Sequence, residues 1–140
     1  MIINNSCQCS PLIFIINIFI GIYCDYFLYS LLFFCLIITS LIYHTYYTEF
    51  AYIIDKVSIL YVVLYGILLF YQKIYCINTT ILNLLSIIII VSTFLSVFYL
   101  YYYGHYSKEY CFNENIDIAY HYQSMIHYIT FVSHSLIMLL

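Results

Sequence analysis

LLSIIIIVSTFLSVF, residues 84 to 98, carries no charge, and its only polar side chains are serine and threonine. Backbone amides in lipid must find partners within their own segment, so such a run reads as a helix. Spanning a bilayer takes about 20 apolar residues. Followed outward, the run reaches from residue 79 to 103, with Gly104 as its stop. The rest of the chain is of the same kind: 66% hydrophobic and 6% charged, with a mean hydropathy of +1.02. A soluble domain carries about 25% charged residues, so this composition cannot cover a surface that faces water. It specifies an integral membrane protein and an all-α, polytopic transmembrane helical bundle.

Upstream, the apolar run 11–47 is too long for one helix and fits two, 11–24 and 26–47, with the turn marked by Gly21 and Asp25. A third spans 53–71 and is closed by Gln72 and Lys73. Downstream of Gly104 comes the one stretch that looks soluble, GHYSKEYCFNENID at 104–117, and a last helix at 119–140. The expectation is a single domain, 1–140, of about five helices, or four if the first lies in the interface. The N-terminus lacks the basic region and cleavage site of a signal peptide, so the first apolar run is expected to persist as a helix.

Net charge is −3, from six acids and three lysines with no arginine. No basic patch exists for nucleic acid or anionic lipid. Lys56 and Lys108 fall on one side of a five-helix topology and Lys73 on the other, which weakly favours the first side as cytosolic. The sequons Asn4-Asn5-Ser6 and Asn78-Thr79-Thr80 fall on opposite sides. Excess Ile, Tyr, Phe and Asn resembles translation of an AT-rich genome, as in some giant viruses and protists. Of the six cysteines, Cys24, Cys35 and Cys76 lie in or beside apolar runs and read as small hydrophobes. Cys7-x-Cys9 alone does not make a zinc site. Eleven of the twenty tyrosines cluster in YHTYY, YLYYYGHY and YHYQSMIHY, as expected of rings anchored at the membrane–water boundary.

Against this background TSLIYHTYYTEFAYIIDK, residues 39–56, stands out. Ionisable groups at membrane depth are expensive and mark functional sites. Ser40 and His44 are four apart near the end of the second helix, so they share a face. Asp55 opens the third helix, and a tight turn brings it level with His44. Gln123 and His127 enter from the same side on the last helix. Histidine is a common zinc ligand, and a nearby carboxylate can ligate the metal or hold its water. A serine one turn away can support a developing oxyanion. The bland alternatives are a helix-end histidine and an Asp55 that pairs with Lys56 or the helix dipole. His134 and Asp25 read as packing and turn residues, and Ser86, Ser92 and Ser96 as helix-contact residues.

Ser40-Leu-Ile-Tyr-His44, followed eleven residues later by Asp55 in AYIIDKVSILY, resembles the signature of the CREST superfamily of membrane hydrolases and receptors. Alkaline ceramidases, progestin and adipoQ receptors, and Per1-like and myomaker-like proteins belong to that group, and the spacing is most similar to the ceramidases. The resemblance implies zinc, with His44 as a ligand, Asp55 holding the metal-bound water and Ser40 assisting the oxyanion. It also implies hydrolysis of a lipid amide such as ceramide. The family's H-x3-H motif is matched by Gln123-Ser124-Met125-Ile126-His127, where His127 stands for the second histidine and Gln123 replaces the first. Glutamine is a poor zinc ligand, so a second function is weighed beside hydrolysis: a non-catalytic membrane protein that binds lipid or partner helices. His121 and His105 are candidate substitutes for the missing ligand. His134, seven residues past His127, lies about 10 Å farther along the helix. The family has seven helices where this chain has room for about five.

Overall fold

The computed structural model of the chain describes residues 9–78 and 80–140. The sequon at Asn4, Cys7 and Thr79 of the second sequon lie outside them. A 3-10 turn, Ser10–Ile13, leads into α1, Phe14–Tyr23; then follow α2, Phe27–Tyr46, α3, Glu49–Cys76, and α4, Ile81–Ser107. A second 3-10 turn, Tyr110–Phe112, precedes α5, Ile116–Leu139. All regular structure among the described residues is helical, as expected.

Three segments have the length and hydropathy to cross a membrane: Phe27–Tyr46, Glu49–Cys76 and Ile81–Phe112. The ten residues of α1 fall short of the roughly 20 that a crossing needs. The 24 residues of α5 are long enough, at about 36 Å, but polar residues dilute their hydropathy. Those residues point inward: His127, Ser133, His134 and Ser135 are all buried. The interior of the molecule is thus unusually polar, with Ser10, Asn17, Ser30, Ser40, His44 and Asp55 also buried, while leucines, isoleucines and phenylalanines cover the outside. That inversion suits lipid, where an apolar exterior costs nothing.

The α2–α3 connection takes two residues. Tyr47 turns left-handed at φ 51° and its N–H bonds the Tyr43 carbonyl at 2.9 Å. Thr48 is extended and caps α3, its hydroxyl accepting from the Ala51 N–H at 3.2 Å, with Glu49 in the first turn. The helix therefore starts four residues before the expected 53, because a polar Thr-Glu cap, not the first apolar residue, opens it. Residues equidistant from so tight a turn lie level. Ser40 is seven before Tyr47 and Asp55 seven after Thr48, so Asp55 rides in the second turn of α3 and faces Ser40.

Two glycines read as punctuation have other roles. Gly21 lies inside α1, where an added Cβ would collide with the Ser30 hydroxyl; Asp25, at φ 62°, makes the turn instead. α4 runs through Gly104 to Ser107 and ends where Lys108 turns left-handed and bonds the Gly104 carbonyl. Likewise α3 continues past Lys73, whose ammonium donates to the Met138 carbonyl at 2.7 Å. A cation there complements the C-terminal end of α5.

α5 is the hub, packed against α1, α3 and α4, while α2 packs between α1 and α3. Only Ile90 and Gly104 of α4 are buried. Ser96, read as a helix-contact residue, donates instead to its own helix at the Ser92 carbonyl, 2.8 Å away. No backbone contact joins α3 to α4 among the described residues. The space left between them is a cavity of about 600 Å³, walled by Val62, Val63 and Ile67 of α3 and by Phe94, Leu95 and Phe98 of α4.

Candidate intramembrane polar site

At the tyrosine-rich end of the bundle, four of the sequence-nominated residues meet. Ser40 donates to Oδ1 of Asp55 at 2.5 Å. His44 lies one turn beyond Ser40 on α2, its ring centroid 6.1 Å from that of His127 with the planes at 76°. Exposure is 2% for Ser40 and Asp55, 3% for His44 and 8% for His127, so the cluster is buried within the bundle. Ser40, His127 and Gln123 line the cavity between α3 and α4. The spacing of the hairpin and the inward stripe of α5 bring Ser40, His44, Asp55 and His127 together.

The partners refine their roles. Nδ1 of His127 is hydrogen bonded to the Ser10 hydroxyl at 2.7 Å, and Phe14 packs edge-on against the ring at 5.8 Å. Ser10 thereby fixes the ring and leaves Nε2 as the nitrogen available to a ligand. Asp55 is engaged at both oxygens, because Lys56 donates to Oδ2 at 3.2 Å. The carboxylate is buried and its charge is balanced next door. The Asp55–Lys56 pairing weighed in the sequence is therefore present alongside the Ser40 contact.

Lys56 itself sits among tyrosines. Its ammonium lies 5.7 Å from the ring centre of Tyr43 on α2, 5.2 Å from that of Tyr52 on α3 and 5.6 Å from that of Tyr101 on α4. The candidate replacements for a third histidine lie elsewhere: His105 packs on Phe112 and His121 on Tyr122, both exposed. His134 is fully buried and hydrogen bonded through Nδ1 to the Tyr29 hydroxyl, in keeping with a packing role.

His44 and His127 bring two imidazoles from different helices near each other. Among the described residues no three of His, Cys, Asp and Glu converge on one point, one fewer protein ligand than catalytic zinc sites use.

Sequence reasoning missed Ser10 and the cage around Lys56. Ser10 carries no local signal, since 117 residues separate it from His127. The cage tyrosines were hidden among many, and only their convergence on one cation distinguishes them. Comparison with protein-family models, with curated proteins and with solved structures gives no match to this chain.

Proposed function

We propose that this chain is a multi-pass membrane protein that takes a lipid sideways from the bilayer and acts on its polar head as a CREST-like, zinc-dependent amide hydrolase. One observation carries the reading: two members of the buried cluster of Ser40, His44, Asp55 and His127, namely Ser40 and His127, line an apolar cavity of about 600 Å³ bounded by helices of membrane-crossing length. Ligand sites of this size, apolar with a few convergent polar groups, are the usual form of small-molecule pockets. α4, held to the bundle through α5 and not α3, leaves that pocket a lateral entry.

His44 and His127 would hold the zinc. Bound zinc supplies a Lewis acid and a water that ionises near neutral pH. Ser10 orients His127, Asp55 holds the Ser40 hydroxyl one turn from His44, and Lys56 offsets the charge of Asp55. Membrane lipid is the implied substrate, and the residues offer nothing for nucleic acid.

A second reading, a lipid-binding member without catalysis, is favoured by Gln123 in the place of a ligand and by the full engagement of Asp55. Zinc content and hydrolysis of a long-chain N-acyl amide, measured on protein purified in mild detergent, separate the two. Near-stoichiometric zinc and activity, both lost in His44→Ala and His127→Ala, establish the hydrolase. A zinc-free protein that resists reconstitution yet retains lipid establishes the binder.

A further inference from the structure

The environment of the Lys56 ammonium is that of a bound ligand. Three tyrosine rings surround it at 5.2 to 5.7 Å, and the Asp55 carboxylate lies 3.2 Å away. Aromatic faces grouped around a carboxylate are how proteins recognise alkylammonium groups. The rings come from three different helices, so the grouping is tertiary and not a local accident of a tyrosine-rich segment. Lys56 and Tyr101 also line the cavity, so a head group in the cage places its chain against the apolar walls of α3 and α4. The lysine side chain is 26% exposed, and its flexible stem lets the ammonium withdraw toward water.

We propose that Tyr43, Tyr52, Tyr101 and Asp55 form a site for the cationic head of a long-chain amine, held in the ligand-free protein by the ammonium of Lys56 as a resident competitor. The site accounts for one half of the chemistry proposed above, and rests on that reading only for the source of the amine. Hydrolysis of a lipid amide, R–CO–NH–R′ + H₂O → R–COO⁻ + R′–NH₃⁺, breaks the C–N bond and releases such a cation beside Asp55. Lys56 then returns to the cage as the amine leaves. Lys73, bonded to the Met138 carbonyl over the ring of Tyr26, has a different partner set and no part in this.

The test is photo-labelling in nanodiscs with a long-chain primary amine bearing a mid-chain diazirine, with and without a zinc chelator. Labelling in the α3–α4 cleft should be competed by an alkyltrimethylammonium of equal chain length and not by the matching alcohol. Lys56→Gln should raise apparent affinity about tenfold, as removal of a competing cation from three rings implies. Tyr101→Leu, on the sparsely packed α4, should lower it in the otherwise native chain and serves if Lys56→Gln misfolds. Equal competition by the alcohol, or unchanged affinity in Tyr101→Leu, overturns the site. Because labelling needs neither zinc nor turnover, a failed amine site and a failed hydrolase give different results.

Discussion

His127 and His134 lie seven residues apart on the same helix, both buried, yet their surroundings differ. His127 meets a hydroxyl from the 3-10 turn that leads into α1, a second imidazole from α2 and an ion pair from α3 nearby. His134 meets Tyr29, Phe33 and Phe94 rings at 5.5 to 5.7 Å and bonds one tyrosine hydroxyl. Both rings border the same cavity, but the first group collects charge and polar atoms, whereas the second is an aromatic knot. Position on a helix does not decide a histidine's role, whereas the chemistry converging on it does.

The comparison breaks first at His134. Replacing it by Ala leaves a cavity and strips the Tyr29 hydroxyl of its partner, at a cost of about 2–5 kcal/mol. Thermal unfolding in detergent should show the drop, with the proposed site at His44 and His127 unaffected in whatever folds. A His134→Ala protein that melts like the wild type but has lost zinc would exchange the roles of the two histidines.

Gly66 offers a smaller probe of the same knot. A Cβ there would stand 2.5 Å from the Tyr29 hydroxyl and 2.9 Å from Cε1 of His134, so Gly66→Ala should destabilise by roughly 1–3 kcal/mol. An unchanged melting temperature would mean that α3 can yield and that the knot is loosely held. Smallest of all is Ser96→Ala on α4, whose hydroxyl bonds only its own helix. That change should stay within about 0.5 kcal/mol, and a larger loss would reveal a partner for the face of α4.

How far the sequence reached varies by element. The apolar run at 84–98 and the Ser40, His44 and Asp55 spacing were legible because helix periodicity and a tight turn act over a few residues. Helix starts were less so: Thr48 and Glu49 cap α3 four residues before its apolar pattern begins, and Gly104 proved to be no terminus. Beyond reach altogether was Ser10, whose bond to His127 needs α1 laid beside α5.

By itself the sequence determined that the regular structure is helical, that several helices are long and apolar enough to cross a membrane, and that Ser40, His44 and Asp55 gather at one hairpin. These follow from composition and from contacts short in sequence. Tertiary structure alone decided that His127 meets His44, that Asp55 is shared between Ser40 and Lys56, and that three tyrosines close around one ammonium. It also kept the backbones of α3 and α4 apart. Each of these depends on how whole helices pack, and in a chain apolar nearly everywhere the local pattern hardly distinguishes one packing face from another. The few polar groups that must find partners away from lipid select the arrangement.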